Sequence, residues 1–452
     1  MKPAENYSTL RNWLVLLVPS LIGVFLFMTP VQGDKGLTIP VALLAVELKT
    51  ALSDGMGLLL TLLISLSALG SVLASLLKPA FIQPGSYLQR LMQPGWSWVL
   101  VRLLGAAFIV QTYSGAGPAA VTGSSTGALV FHELLPVLFS VFVFAGLFLP
   151  LLLNFGLLEL VGTLMTKIMR PVFRLPGRSA VDCIASWIGD GSVGILLTSK
   201  QYEGGFYTAR EAAVIGTTFS AVSITFCLVV LGQVKLEHMF LPFYATICLA
   251  GLTAAIILPY LPPLRNKPDT YIDGYDHMRA EGGQFATDSV WQRALGHGLH
   301  RASMAPGVTA TVKEGVGSVV DMLLGVLPVI MAVGTVALML AEYTPVFQWL
   351  GAPFVPLLEL LQIPYAADAS RSVMVGFADM FVPSILVTSV PSEMTRFVIA
   401  ALSVTQLIYM SEVGALLLGS RIPVTLLDLF LLFILRTLVT LPVIALMAHW
   451  LF

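Results

Sequence analysis

Two short stretches place a carboxylate beside helix-breaking residues, within sequence that is otherwise apolar enough for a membrane. The first reads WIGDGSVG over residues 187–194, and the second reads ADMFVPS over residues 378–384. Each glycine weakens a helix by about 1 kcal/mol, and a proline removes a backbone donor. We therefore predict two half-helices that meet at a non-helical tip in each stretch. The freed backbone groups there require water, an ion or a substrate, because lipid forms no hydrogen bonds.

Asp190 and Asp379 occupy matching positions in the two stretches. A carboxylate at the bilayer centre costs about 2.5–3.5 kcal/mol, so such residues are found mainly beside a wet cavity or a partner. Each aspartate is predicted to coordinate Na⁺, carry a coupling proton or accept hydrogen bonds from a polar substrate. The alternative is a structural ion pair with Arg178 or Arg371. The predicted substrate- and ion-binding residues of the two stretches are Gly189, Asp190, Gly191, Ser192, Asp379, Pro383 and Ser384.

Three further polar residues, Gln406, Tyr409 and Glu412, follow one another at intervals of three. This spacing predicts a polar stripe along one side of a helix over residues 397–418, and it adds these three to the predicted binding residues. The matching helix of the first half is rich in hydroxyl groups, which serve helix packing equally well. Arg436 lies deep in the last apolar run, where we expect an interior ion pair with Asp428 as its partner.

The composition of the chain indicates whether these residues lie in a soluble protein or in a membrane protein. Of 452 residues, 57% are apolar and 11% are charged, and the mean hydropathy is +0.88. An average soluble protein has about 25% charged residues, so the chain is predicted to be an integral membrane protein. The net charge of -1 argues against nucleic acid as a partner. The three cysteines lack metal-binding spacing and the apolar runs contain no catalytic dyad, so neither a metal site nor an enzyme is predicted.

Several apolar runs approach the length of about 20 residues that a membrane crossing needs. They cover residues 13–28, 57–77, 98–112, 134–153, 212–234, 239–261, 321–340, 372–390, 397–418 and 424–448. Basic residues are concentrated before the first run and after the second and fourth. This distribution predicts a multi-pass protein of the inner (cytoplasmic) membrane whose N-terminus is cytoplasmic.

The two stretches belong to a weak internal repeat. Residues 175–199 and 363–389 share a proline, an Arg-Ser pair, the aspartate and a final Ile-Leu-x-Thr-Ser in the same order. The number of predicted membrane crossings between the two copies places them in opposite orientations. Such inverted repeats are typical of secondary transporters. The predicted fold is all-α: a polytopic helical membrane protein with inverted repeats, each containing a broken helix or re-entrant hairpin. The predicted units are N-terminal membrane helices (1–130), the first repeat (131–261), a cytoplasmic linker (262–315) and the second, inverted repeat (316–452).

The segments LPGRSA (175–180) and SWIGDG (186–191), with their diverged second copy, resemble the nucleoside-recognition or Gate domain. The opening PSLIGVFLF (19–27) is similar to the YjiH branch of that family. The resemblance covers essentially the whole chain, with Gate-like copies at about 130–260 and 316–450. It implies that the hairpins hold substrate and Na⁺, as they do in concentrative nucleoside transporters. The Gln-Thr-Glu signature with which those transporters hold the nucleoside is not found in this sequence.

The function predicted from these features is secondary transport of a small polar solute by alternating access, coupled to Na⁺ or H⁺. The solute is nucleoside-like or amino-acid- or peptide-like, since a shared fold does not fix a substrate. The alternative is a non-transporting membrane scaffold or assembly partner of the spore-maturation type. No cofactor is predicted apart from Na⁺ as a coupling ion. The predicted partners are the solute, the lipid bilayer and, as an open question, further copies of the chain.

Overall fold

The computed structural model describes residues 7–33, 36–79, 82, 87–188, 191–219, 222, 224–272 and 289–452. The described chain is all-α apart from one small antiparallel pair of strands, and it is a multi-pass membrane protein. Seven helical segments are long and apolar enough to cross a membrane: Leu10–Met28, Ser53–Leu77, Trp96–Ser114, Ala119–Leu153, Glu237–Tyr260, Val308–Tyr343 and Leu426–Leu451.

The N-terminal part of the chain contains helices that surround the later ones. Its elements are α1 (Leu10–Met28), β1 (Val31–Gly33), β2 (Gly36–Thr38), α2 (Pro40–Ala51), α3 (Ser53–Leu77), α4 (Tyr87–Met92), α5 (Trp96–Ser114), α6 (Ala119–Thr122) and α7 (Gly127–Leu129). On α3, Leu62, Leu66 and Leu69 are exposed, whereas Ser67 and Ser71 are buried. This arrangement suits a helix that turns its apolar side to lipid and its small polar side to the protein.

The first half continues from a five-residue π-helix, Val130–Leu134. It then forms α8 (Leu135–Leu153), α9 (Leu157–Phe173), α10 (Ser179–Ile188), α11 (Gly191–Glu203), α12 (Ala209–Thr218), α13 (Ile224–Gln233), the 3-10 turn Glu237–Met239, α14 (Phe240–Ile257) and two further 3-10 turns, Leu258–Tyr260 and Leu264–Asn266. A capping box joins Thr208 and Glu211 at the start of α12, so this short helix is fixed at its N-terminus by its own sequence.

The second half follows a connecting helix, α15 (Val290–Ser303), which packs on α9 and α1. It comprises α16 (Val308–Asp321), the π-helix Met322–Val326, α17 (Leu327–Tyr343), α18 (Val346–Gly351), the 3-10 turn Ala352–Phe354, α19 (Val355–Leu360), α20 (Ala366–Val375), α21 (Val382–Val387), α22 (Glu393–Gln406), α23 (Val413–Gly419) and α24 (Leu426–Leu451). The first crossing of this half begins at Val308, inside the segment predicted as a linker.

The two halves repeat the same order of elements. Each has a long helix interrupted by a π-helix, then a pair of short helices, then two short helices in line, then one long helix. Both π-helices are followed by Leu-Pro-Val, at residues 135–137 and 327–329. A proline in the first turn of an α-helix costs nothing, because its missing donor would have no partner there. The shared π-helix and proline strengthen the repeat that the sequence showed only weakly.

The two long helices that contain the π-helices, residues 119–153 and 308–343, run antiparallel where they pack together. Asn154, just after α8, donates to Glu314 near the start of α16 at 2.8 Å. Further along the same pair, Gly146 lies against Val319. Lys267, just after the 3-10 turn that follows α14, forms an ion pair with Asp428 at the start of α24 at 2.7 Å. Phe397 contacts both Phe243 near the start of α14 and Phe452 at the end of α24. The helices α14 and α24 therefore also pack antiparallel.

Two runs that were predicted as single crossings are interrupted. The run 212–234 divides into α12 and α13, and the run 397–418 divides into α22 and α23. In the run 397–418, Leu407 adopts a left-handed backbone with φ 63, which a continuous right-handed helix excludes. The run 372–390 includes the turn between α20 and α21, where two half-helices were predicted to meet.

Candidate functional site

The first short helix pair is a tight hairpin. Its helices α10 and α11 approach so closely that a Cβ atom on Gly194 would lie 2.5 Å from the Cβ atom of Ser186. Near its open end, the Thr198 hydroxyl donates to the Asp182 carboxylate at 3.0 Å. The two helices therefore lie side by side along this contact. Gly191 begins α11, Ser192 is fully buried in its first turn, and the predicted Gly189 and Asp190 lie outside the described residues.

The second hairpin has Asp379 in the turn between α20 and α21. Its Oδ1 accepts hydrogen bonds from the backbone N–H groups of Phe381 at 2.8 Å and Val382 at 3.3 Å. Pro383 follows in the first turn of α21, where no backbone donor is needed, and the Ser384 hydroxyl donates to the Phe381 carbonyl at 2.6 Å. The carboxylate thus caps the helix N-terminus, whose dipole favours a negative charge.

The tip of this hairpin is bonded to the break between α22 and α23. The backbone N–H groups of Met410 and Ser411 donate to the carbonyls of Phe377 at 2.8 Å and Ala378 at 2.9 Å. The Ser411 hydroxyl donates to Oδ2 of Asp379 at 2.8 Å. Backbone groups freed by the two interruptions therefore satisfy one another, and the Asp379 carboxylate lies where the two segments meet.

The predicted helical stripe of Gln406, Tyr409 and Glu412 is wrong, because α22 ends at Gln406 and the chain leaves the helix at Leu407. Tyr409 and Glu412 remain close, with the Tyr409 hydroxyl donating to the Glu412 carboxylate at 3.4 Å. The three residues are nevertheless brought to one place, the segment that contacts the hairpin tip.

The side chain of Gln406 reaches into the second hairpin. Its Nε2 donates to the Val373 carbonyl at 3.0 Å and to the Thr437 hydroxyl at 2.9 Å. Its Oε1 is buried and has no hydrogen-bond partner among the described residues. A Cβ atom on Gly376 would lie 2.2 Å from this oxygen, so the position accepts only glycine without rearrangement.

Arg436, near the middle of α24, connects the breaks of both halves. Its guanidinium donates to the Thr217 carbonyl at 3.3 Å and the Thr218 carbonyl at 3.0 Å, which belong to the last turn of α12, and also to the Thr405 carbonyl in the last turn of α22. The side chain is 2% exposed. Helix C-termini carry partial negative charge, so two of them compensate one buried cation.

The expected ion pair between Arg436 and Asp428 is therefore wrong. Asp428 instead pairs with Lys267 at 2.7 Å and caps α24 together with Thr425. In the described part of the chain, Arg436 forms no ion pair with a carboxylate. Backbone carbonyls at the ends of the interrupted helices bind the Arg436 guanidinium in place of the expected carboxylate.

Among the described residues, Asp379 does not form the alternative ion pair with Arg178 or Arg371. Arg178 pairs with Glu159 at 3.4 Å and stacks on the ring of Phe206, whose centroid is 3.8 Å from the guanidinium carbon. Arg371 is exposed, and the hydrogen bonds of Asp379 go to backbone and Ser411. The carboxylate in the second hairpin is thus held by neutral donors.

Asp182, in the first turn of α10, is a buried carboxylate that is 1% exposed. It accepts hydrogen bonds from Thr198 at 3.0 Å, Gln201 at 2.6 Å and Tyr207 at 2.9 Å. These donors fasten α10 to α11 and to the loop before α12. Asp182 is not among the binding residues predicted from the sequence, and its signal is a carboxylate within the otherwise uncharged helix Ser179–Ile188.

Two contacts join the halves near the ends of the hairpins. The Thr388 hydroxyl, just after α21, donates to the Gln233 carbonyl at the end of α13 at 3.1 Å. In the equivalent place, the backbone N–H of Arg421, just after α23, donates to the Ser199 hydroxyl of α11 at 3.3 Å. Each hairpin therefore touches the broken helix of the other half as well as its own neighbours.

The residues of the site offer no preformed metal centre. No group of three or more His, Cys, Asp or Glu side chains gathers within the ranges that the structure describes. The oxygen atoms near the second hairpin are those of Asp379, Ser411, Glu412 and the carbonyls of the helix break. Hard cations such as Na⁺ prefer oxygen ligands of this kind.

Comparison with known proteins supports the family suggested by the sequence. Residues 135–237 match the family described as "Gate: Nucleoside recognition", which is associated with membrane transport rather than catalysis. An uncharacterized protein of Alkalihalophilus pseudofirmus is 46% identical over 446 residues, which are 98% of this chain and 96% of the relative. No solved structure gives a significant match. The chain belongs to the same family as this relative and carries the nucleoside-recognition (Gate) domain.

Proposed function

We propose that the protein is a secondary transporter that moves a small polar solute across the inner (cytoplasmic) membrane by alternating access, coupled to Na⁺ or H⁺. The proposal rests chiefly on one observation: Asp379 lies where the tip of a helical hairpin is bonded to an interrupted helix. Secondary transporters bind solute and ion at discontinuous helices of this kind. The family match agrees with this function.

The candidate binding residues offer both donors and acceptors to a polar solute. The Oδ2 atom of Asp379 is held by the hydroxyl of Ser411, a neutral donor that a cation or a solute N–H group can replace. The buried Oε1 of Gln406 is an unused acceptor in the described structure beside the same hairpin. An unpaired buried acceptor costs about 1–3 kcal/mol, so a solute donor reaching it would be favoured.

Alternating access requires the two halves to move relative to one another. The contacts of Thr388 with Gln233 and of Arg421 with Ser199 are neutral hydrogen bonds. Neutral bonds contribute about 0.5–1.5 kcal/mol each, so either contact can open at low cost. In inverted repeats these two contacts lie toward opposite membrane faces, where opening them in turn would expose the site alternately.

Uptake into proteoliposomes tests the proposal. Labelled uridine, succinate and dialanine would be offered under an inward Na⁺ gradient and, separately, a proton gradient. The variant Asp379→Asn is expected to lower gradient-driven uptake at least tenfold, since the charge is lost while the shape is kept. The matched control is Asp368→Asn, an exposed carboxylate of the same hairpin. Equal uptake by both variants would refute the assigned site. Failure to accumulate any probe, with a stable membrane partner after mild purification, would favour the scaffold instead.

A further inference from the structure

A separate cavity of about 490 Å³ lies beside the contact of Arg421 with Ser199. Its walls come from α4 and α5, the end of α11, the π-helix Met322–Val326 and the end of α23. Both halves and the N-terminal helices therefore contribute to it. None of the residues predicted from the hairpins lines this cavity.

The charged side chains of the cavity do not balance one another. Lys200 lies 3.3 Å from Glu203 and 3.2 Å from Asp321, so this cation is shared by two carboxylates. Arg102 and Arg421 also line the cavity. Within the ranges that the structure describes, neither arginine forms an ion pair with a carboxylate. The described lining thus has three cations (Arg102, Lys200 and Arg421) and two carboxylates (Glu203 and Asp321), and it carries a net positive charge.

Arg102 is held in place by neutral groups. It lies in the membrane-crossing helix α5 and is 6% exposed. Its Nη1 donates to the Ser71 hydroxyl at 2.6 Å and to the Leu91 carbonyl at 2.8 Å. These acceptors orient the guanidinium but leave its charge uncompensated, which is costly for a buried cation. An anion in the cavity would compensate it.

A second guanidinium and an irregular helix also line the cavity. Arg421 is exposed and lines the same cavity as Arg102, so two positive charges face one cavity. Gly325 of the π-helix lies beside Arg102, where a Cβ atom would be 3.8 Å from Nη2. The neighbouring Leu324 carbonyl accepts from the Ser67 hydroxyl at 2.5 Å. π-helices occur frequently at functional sites, where they reshape a helix around a ligand.

We propose that this cavity binds a small anion, whose carboxylate or phosphate group lies between Arg102 and Arg421. Arginine binds both kinds of anion through paired hydrogen bonds. The anionic group would also offset the net positive charge of the cavity lining.

Thermal unfolding of the purified full-length protein tests the binding without requiring transport. Succinate and inorganic phosphate would be titrated separately at constant ionic strength set with KCl, and succinamide would serve as the uncharged analogue of succinate. A ligand that binds the folded state raises the unfolding temperature. The variants are Arg421→Gln, Arg421→Lys and, as a matched control at an exposed arginine of α1, Arg11→Gln.

One or both anions are expected to raise the unfolding temperature of the wild type and of Arg11→Gln equally, and succinamide is not. Arg421→Gln is expected to need at least tenfold more anion for the same shift, with Arg421→Lys intermediate, because a charged hydrogen bond is lost. The anion that acts identifies the carboxylate or the phosphate as the recognised group. Stabilisation by succinamide, no shift beyond KCl, or an unaltered titration of Arg421→Gln would overturn the proposal. Anion binding that persists in a protein without uptake would refute only the transport function.

Discussion

The most informative single substitution is Arg436→Met, which removes the charge and keeps most of the side-chain volume. Arg436 donates to carbonyls in the last turns of both α12 and α22. A hydrogen bond to a charged group contributes about 1.5–3 kcal/mol, whereas burying the guanidinium itself costs several kcal/mol. Because the carbonyls would be left unpaired in a protein interior, we expect a net loss of about 3 kcal/mol.

The loss would be measured as the unfolding temperature of the purified protein in detergent. A change of 1 kcal/mol corresponds to about 1 °C in a chain of 452 residues, so a decrease of about 3 °C is expected. Arg436→Lys should lose part of this, since one compact ammonium group cannot reach the carbonyls of both helices. Arg371→Met is the matched control at an exposed arginine. If Arg436→Met unfolded within 1 °C of the wild type, the two helix breaks would not depend on this residue.

Further substitutions test the second and first hairpins. Ser411→Ala removes the donor to the hairpin carboxylate and should reduce uptake about tenfold, whereas Ser403→Ala, which loses a bond within its own helix, should change uptake less than twofold. Gly376→Ala would place a Cβ atom 2.2 Å from a buried amide oxygen and should destabilise the protein by about 1–3 kcal/mol. Gly317→Ala, with open space around it, should be neutral or slightly stabilising in the same thermal unfolding assay. Asp182→Asn places an amide donor among three existing donors, so it should lower the unfolding temperature by about 2 °C.

The two hairpins could be predicted because their signal is local. Glycines or a proline beside an aspartate in apolar sequence weaken a helix at that point, and Gly194 and Pro383 lie where the predicted hairpins form. The membrane class likewise followed from composition, since lipid-facing surfaces such as that of α3 need no polar residues.

The break between α22 and α23 could not be predicted from its own residues. The segment QLIYMSE (406–412) contains neither glycine nor proline. The helix ends there because of partners that are distant in sequence: the hairpin carbonyls of Phe377 and Ala378, and the guanidinium of Arg436. Tertiary contacts of this kind override local helix preference, so the period-three spacing predicts a helical stripe where the chain is not helical.

The hydrogen-bond partners of the buried charged residues could not be predicted from the sequence either. Arg436 and Arg102 are bonded to backbone carbonyls and a serine, none of which a charge-pairing argument singles out. Asp182 meets its donors only after α10 and α11 fold back on one another. For these buried charges, therefore, the sequence showed which residues lie in apolar helices, but it did not show which groups form hydrogen bonds with them.

Relative movement of the two halves is the central claim, and a reversible cross-link between them tests it most directly. In a variant whose Cys183, Cys227 and Cys248 are replaced, cysteines at Gln233 and Thr388 would be joined by a short cleavable thiol cross-linker at the contact described above. The uptake of the accumulated probe is expected to stop when the bridge forms and to return when it is cleaved. Undiminished uptake by the fully bridged protein would contradict alternating access.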